Sequence, residues 1–580
     1  MAYTENSIEV STLVNLKEIF TGQSSAHAKL GHRFEQCGPD QYYRGCAGSV
    51  PAPSAIRDAN NPAANRQPPP LTSMLRSYVV YAMCSIPALV EWSPKILSSL
   101  ISIPIVKDIT ESLVRATFFA QFVGGDTARD TLPLLEKLRA ENKGVLFAYS
   151  VEVDESQATN AAASHSQFGS SENKQQPVHK RNVDEMISTI DVAADFEERY
   201  AHAYGTTSTS GRKTWIAIKL TALLPDAQSL TNLSSYLIHS RPHLSHHNQI
   251  PFPGCARSTD LDVLNSHSRP GDISDKVLPL TKEDVIALQE LHSDLVRICN
   301  KGQERGIKIV IDAEYSWYQP AIDAFTLSLQ RQFNTLPNSR WRRSPAPTDN
   351  NDIQPLVLGT YQAYLRRTPA HLAYSLQDAK ANNYTLGVKL VRGAYHPHEM
   401  AAHPSFSATT TADTSPNSRL PSISPDPYPP VWLEKQDTDK CYNACARLLI
   451  SEIKADIERQ VKSGGPARIG VLFGTHNWES CNIILKELVD RGLAVEDKDE
   501  GEIIIRIGTD VTDRLIFGQL YDRTRSASPM VIKYVPYGAL KDVMPYLSRR
   551  AIENKSMLGE GGAVEERKRA GAAIRKRIFG

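Results

Sequence analysis

Several common signatures are missing from this sequence. Its eight cysteines are scattered, with no Cys-x-x-Cys pair and no His/Cys cluster at zinc spacing. That argues against a disulfide framework or a structural zinc and fits a reducing compartment. No P-loop, HExxH or GxSxG occurs, so hydrolysis has no motif behind it. Charge of one sign is missing too: 65 Lys and Arg face 64 Asp and Glu, and no overall field draws the chain to nucleic acid or an acidic surface. The apolar stretch from Ser77 to Val106 is broken by Glu91, Lys95, Pro87, Pro94 and Pro104. Its pieces are shorter than the roughly 20 residues needed to span a bilayer, which predicts a packed or membrane-associated segment. The opening "MAYTENSIEVSTLVNLKEIF" holds three Glu and no Arg, unlike an ordinary mitochondrial presequence. No internal repeat is present.

What remains is a globular chain of 580 residues, 41% hydrophobic, able to bury a large core. Stretches 155–183, 240–275, 334–353 and 397–430 are rich in Ser, Pro, Asn and His and read as mobile insertions. Between them, short apolar runs alternate with helical patterns, the mark of βα units. Eight strands are expected: "GVLFAYSVE", "TWIAIKLTA", "IKIVIDAE", "PLVLGTYQAY", "LGVKLVRGAY", "RIGVLFGTH", "RLIFGQLY" and "MVIKYVPYG". Helices such as "TKEDVIALQELHSDLVRICNKGQERG" and "KCYNACARLLISEIKADIERQVKSG" separate them, favouring a (β/α)8 barrel over an open doubly wound sheet. A ninth run, "EIIIRIGTD" at 502–510, leaves the strand count ambiguous.

Six expected strands finish on a polar residue: Glu152, Lys219, Asp312, Gln362, Lys389 and His476. In a barrel such residues gather at the C-terminal mouth, where active sites of this fold lie, although any one of them also fits a side chain reaching water. Near the end, "PYLSRRAIENKS" sets Arg549 and Arg550 about 100° apart on a helix, with Glu553 three and four residues on. Such a pair suits a carboxylate clamp, and it equally suits a solvated helix face. The His-Pro-His at 396–398 opens a Pro/Ser-rich loop and lacks a third metal ligand, so no metal is expected. Cations Lys219, Lys389, Arg549 and Arg550 with acids Asp312, Glu553 and Glu152 would hold an anionic substrate beside an electron-rich cofactor.

The blocks "IKLTAL", "IDAEYSWYQPAID", "GTYQAYLRR", "VKLVRGAYHPHE", "LFGTHNWES", "FGQLY" and "IKYVPYG…PYLSRRAIENKS" resemble, in order, the proline dehydrogenases, in particular the fungal mitochondrial forms. The likeness runs from Pro69 to near Gly559. It implies a distorted TIM-like barrel over 141–560, an N-terminal helical region at 69–140, a poorly ordered segment at 1–68 and a basic tail at 561–580. It also implies FAD as cofactor, oxidation of L-proline to 1-pyrroline-5-carboxylate, a quinone acceptor and peripheral association with the inner mitochondrial membrane. On this resemblance Arg549, Arg550 and Lys219 hold the proline carboxylate, Glu553 braces the arginines, and Tyr534 and Tyr546 wall the ring. The flavin contacts it implies are Ala313, Gln362, Lys389, Arg392, Gly393, Ala394, Thr475, His476, Asn477 and Leu520. Lys389 would stabilise charge on the reduced flavin, with Asp312 orienting or balancing the lysines. Many bacterial members carry arginine where Lys389 stands, so the planar fork is lost and the charge kept.

In one place the chain departs from the family pattern. "FGQLYDRTRSASPMVIKYVPYG" joins the seventh expected strand to the eighth with too few residues for the usual helix. A flavin-deficient inactive paralogue is one reading of that gap. A hydroxyproline-preferring enzyme differs only in the wall of the ring pocket. A Schiff-base aldolase using Lys219 or Lys389 is the reading from another class.

Overall fold

The computed structural model describes residues 71–86, 103–150, 176–204, 212–241, 250–265, 280–336, 354–407, 422–499, 502–507, 515–517, 524–526, 529–544, 546–547, 550 and 562–579. Eight parallel strands close a barrel: β1 (Lys143–Tyr149), β2 (Thr214–Ile218), β3 (Ile309–Ile311), β4 (Val357–Gln362), β5 (Leu386–Val391), β6 (Ile469–Phe473), β9 (Leu515–Phe517) and β11 (Val531–Tyr537). All eight expected strands are present. The extra run also forms a strand, but outside the barrel. A hairpin of β7 (Ala494–Asp499) and β8 (Glu502–Ile507) is joined by β10 (Thr524–Ser526) into a separate three-stranded sheet.

The strands read as continuous apolar runs because both faces are covered. Leu146, Ala148, Trp215, Ala217, Val310, Leu358, Leu472 and Ile532 fill the lumen. Their alternates, among them Val145, Phe147, Ile216, Ile218, Ile309 and Ile311, pack outward with the surrounding helices. Gly144 marks a close approach of backbones at the base of β1, where a Cβ would stand 2.3 Å from the Lys213 carbonyl oxygen.

The described α-helices of seven residues or more are α1 (Leu71–Cys84), α2 (Pro104–Val114), α3 (Leu132–Ala140), α4 (Val178–Tyr204), α5 (Gln228–Ser240), α6 (Lys282–Arg305), α7 (Gln319–Phe333), α8 (Thr368–Ala381), α9 (His396–Ala402), α10 (Lys435–Ser463), α11 (Trp478–Asp490) and α12 (Gly562–Phe579). A capping box between Thr281 and Asp284 starts α6, and Gly306, at φ 70°, ends it. α2 runs into a π-helical turn at Arg115–Phe119. There Phe119, together with Val123, packs on Leu540, Val543, Tyr546 and Leu547 beyond β11. The basic tail forms α12, which lies on α1 with Gly571 close to the Tyr78 ring.

Parts of the stretches read as mobile insertions have fixed partners. α4 begins at Val178, inside the first of them. The segments around Phe252 and Asp426 meet: Phe252 N donates to Asp426 Oδ2 at 3.0 Å, Arg366 Nε donates to the Pro429 carbonyl at 2.7 Å, and the buried Arg367–Asp323 ion pair also reaches the Gly254 carbonyl. These are polar staples, which composition does not reveal. Between Phe517 and Val531 the described residues contain a strand and no helix. Among the described residues no helix is long and apolar enough to cross a membrane.

Candidate active site

The strand ends place a cation and an acid at the barrel mouth. Asp312 follows β3, and its backbone N–H donates to the Ile218 carbonyl at 2.9 Å. Lys389 lies on β5, and its Nζ donates to Asp312 Oδ1 at 2.5 Å, both side chains being about 10% exposed. The pair reaches across β4. Burial at this depth demands a counter-charge, and each group supplies the other's. The Lys389 ammonium also stands 5.6 Å from the centre of the Tyr534 ring on β11. Lys219, half-buried, directly follows β2.

Tyr534 belongs to two environments, touching both the lumen residues and the helical cluster that contains Tyr546. Tyr546 is buried, and the Arg550 guanidinium lies 5.5 Å from its ring centre. The aromatic wall and one arginine of the expected clamp are therefore joined through a single packed cluster. Arg549, Glu553, Leu520 and Glu152 lie outside the described residues.

Gln362 ends β4 and is 3% exposed. Its Nε2 donates to the Glu314 carbonyl at 3.1 Å and to the Tyr364 hydroxyl at 3.4 Å, while its Oε1 is buried without a partner. An unmet buried acceptor costs about 1–3 kcal/mol, so this atom is open to a further donor. Arg392 is held at Nε by Asp439 (2.7 Å), at one terminal nitrogen by Thr475 Oγ1 (2.6 Å) and at the other by Ser480 Oγ (2.8 Å), and it lies 4.4 Å from the Tyr442 ring centre. Gly393, at φ 118°, lies against Tyr364, whose ring a Cβ there would meet at 2.5 Å. Ala313 and Ala394 are half-buried nearby in sequence. The Asn477 side chain caps α11, Oδ1 accepting from Ser480 N at 3.0 Å. His476 beside it is exposed.

The His-Pro-His segment opens α9 rather than a loop. His396 Nε2 meets the Trp432 carbonyl and His398 Nδ1 the Tyr315 hydroxyl. Among the described residues no group of three His, Cys, Asp or Glu side chains comes together as metal ligands would. Sequence reading passed over Glu399, one turn into α9. It is 1% exposed and accepts from Ser316 N (2.7 Å), Ser316 Oγ (2.5 Å) and Tyr364 Oη (3.5 Å). Burial pushes its carboxyl up to about 7 in spite of those donors. The available signal was Pro397, a residue suited to the first turn of a helix.

A family model described as proline dehydrogenase matches residues 139–413 and 425–561. The mitochondrial proline dehydrogenase 1 of Arabidopsis thaliana is 26% identical over 499 residues, covering 85% of this chain and 81% of the relative. That of Homo sapiens is 24% identical, covering 84% of each. The hydroxyproline dehydrogenase of Rattus norvegicus is 25% identical, covering 87% of this chain and 91% of the relative. Among solved structures, proline utilization A from Bdellovibrio bacteriovorus, inactivated by N-propargylglycine, is 16% identical with a TM-score of 0.45; the match covers 86% of this chain and 40% of that one. With the family model spanning most of the barrel, this chain belongs to the proline dehydrogenase family.

Proposed function

We propose that this chain oxidises L-proline to 1-pyrroline-5-carboxylate with FAD held at the barrel mouth, and that the electrons pass on to a quinone. The observation that carries this reading is the convergence of the Lys389–Asp312 pair and the unpartnered Gln362 Oε1 on the neighbouring strands β3, β4 and β5, with Tyr534 of β11 facing Lys389 across the lumen. These groups fit a flavin. Gln362 offers an acceptor to a ring N–H, and Arg392 keeps two of its five N–H groups beyond the three already engaged. FAD bound there supplies the two-electron acceptor that dehydrogenation requires.

The chain's own groups do the rest. Arg549 and Arg550 hold the substrate carboxylate with Lys219, Glu553 braces them, and Tyr534 and Tyr546 wall the pyrrolidine ring. Proline must arrive as the neutral amine, because its Cδ–H bond breaks as hydride while the nitrogen lone pair closes a C=N bond. Lys389, fixed by Asp312, adds positive charge where the electrons arrive. Ala313, Gly393, Ala394, Thr475, His476 and Leu520 complete the cofactor's surroundings. Asn477, held by its Oδ1 cap on α11, adds the donors of its Nδ2.

The names of the relatives favour a mitochondrial setting. Ile109 and Leu113, one turn apart on α2 and 66% and 59% exposed, suit peripheral contact with the inner membrane. A preference for hydroxyproline is the second reading, because hydroxyproline dehydrogenases match at nearly the same identity. The Schiff-base reading has no support in the family match. The test is the visible spectrum of the purified chain before and after anaerobic addition of L-proline. A flavin spectrum bleached by proline is expected, whereas a colourless protein that cannot be reconstituted with FAD refutes the proposal. Side-by-side kcat/KM values for proline and hydroxyproline decide the substrate.

A further inference from the structure

We propose that Glu399 is a positioning residue of this site: by locking the β3 loop to α9 it holds the Gln362 amide in the one orientation that presents Oε1 to the cofactor. The inference rests on the flavin reading above. Glu399 takes both donors of one residue, the backbone N–H and the hydroxyl of Ser316, on its two carboxylate oxygens. Such a two-point grip fixes both the place and the rotation of the loop it holds. Two residues before Ser316 stands Glu314, whose carbonyl receives the Gln362 Nε2. The Glu314 carboxylate is itself gripped by Thr221 N and Oγ1, so the loop is pinned from β2 on one side and from α9 on the other.

A second route reaches the same amide. The Tyr364 hydroxyl lies 3.4 Å from Gln362 Nε2 and 3.5 Å from Glu399 Oε1, accepting from the first and donating to the second. With Glu399 as acceptor, Tyr364 turns its lone pairs toward the amide nitrogen. Both amide N–H groups then have partners, and a flip would set the amide oxygen against the Glu314 carbonyl and turn both N–H groups away from any acceptor. Gln362 Oε1 is left pointing where only a ligand can satisfy it. The Tyr364 ring lies against Gly393, so one side chain couples the β4 and β5 loops as well.

The test is a double-mutant cycle read as FAD affinity, by titrating the deflavinated full-length chain with FAD and following flavin fluorescence. Glu399→Leu is expected to weaken FAD about tenfold with Gln362 present, and by less than about twofold in a Gln362→Ala background. Glu399→Gln keeps an acceptor for Tyr364 and is expected to stay within about threefold of wild type. Tyr364→Phe, which keeps the ring and removes only the hydroxyl, should fall between them and should also lose its effect beside Gln362→Ala. Equal losses in both backgrounds, or none in either, overturn the inference by making Glu399 a staple independent of Gln362. If Glu399→Leu does not fold, Tyr364→Phe carries the same cycle. A wild-type chain that binds no FAD overturns the flavin reading and this inference with it, whereas FAD binding with additive effects overturns this inference alone.

Discussion

The two arcs of the barrel are built differently. From β2 to β6 each strand is registered on the next over several residues, as in Leu386–Leu390 against Ile469–Phe473, and helices of 13 to 29 residues cover the outside. At the other arc, among the described residues, β9 meets β11 through one register pair, Phe517 with Val531, and the connection between them contributes a strand to a side sheet. Yet β11 is not adrift. On its far side it pairs with β1 along its whole length, Lys143–Tyr149 against Val531–Tyr537. A parallel strand needs one well-registered neighbour to fix which side chains face the lumen. Tyr534 therefore keeps its place opposite Lys389 although the seam behind it is thin. The division of labour is clear: the well-knit arc supplies the buried ion pair and its hydrogen bonds, and the thin arc, backed by β1 and the N-terminal helices, supplies the aromatic wall with Arg550 behind it.

If charge resides in the well-knit arc, removing half of its buried ion pair should have the largest effect. Asp312→Ala leaves the Lys389 ammonium buried without its partner, a change that costs about 3–5 kcal/mol. A marked fall in the urea midpoint, with loss of bound flavin, is expected. A normal midpoint would mean that Lys389 finds another partner and that the pair does not anchor this arc. Next comes the clamp beyond the thin arc. Arg550→Ala should lower kcat/KM for proline roughly 10- to 150-fold, the worth of one charge-assisted hydrogen bond at about 1.5–3 kcal/mol, while flavin content holds. Equal losses of flavin and of activity would show that the two arcs are not separable.

Acid should also strike the well-knit arc first. Burial lowers His371 on α8 to about 3, so between there and the unfolded value near 6.5 the folded chain binds fewer protons than the unfolded one. Stability from this group is complete above 6.5 and drains as pH falls, by about 2 kcal/mol on reaching pH 5. Glu399 has the opposite sign. Its carboxyl is raised, so its contribution is present below about 4.5 and lost as pH rises through about 7. Urea midpoints taken from pH 7 to 5 should fall less steeply in His371→Phe and more steeply in Glu399→Gln. Parallel slopes in all three chains would remove both groups from the account.

The well-knit arc was also the more legible in sequence. Strands buried on both faces advertise themselves as apolar runs, and the lumen lysine and aspartate stand out because they interrupt such runs at a fixed place. The thin arc was legible as segments and not as an arrangement. "EIIIRIGTD" reads as a strand, but nothing in a period of two says which sheet it joins, and β8 pairs with β7 and β10 instead of the barrel. The Gln362 network was invisible for another reason. Ser316 and Tyr364 come from two different loops and Glu399 from α9, and their meeting is a product of closure rather than of spacing. Asn477 illustrates the converse, a motif residue whose side-chain oxygen also caps the helix that follows it.

The smallest expected effect concerns the seam itself. A missing crossover helix could pull the last strand, and the clamp behind it, out of register. Lengthening the chain after Tyr521 with a helical segment would then raise stability, flavin retention and turnover together. The pairing of β11 with β1 removes the premise, because register on that side does not depend on β9. The helical cluster of Phe119, Val123, Leu540, Val543, Tyr546 and Leu547 holds the segment beyond β11 from a third direction. An inserted helix would cover apolar surface near β9 and displace β10 from its place beside β8. These changes oppose one another, and each is of the order of 1 kcal/mol. Thermal midpoint, flavin ratio and kcat/KM should therefore all stay near the values of the unmodified chain, the last within about twofold. A joint rise in all three would show that the single Phe517–Val531 contact limits the site after all, and that the two arcs work as one.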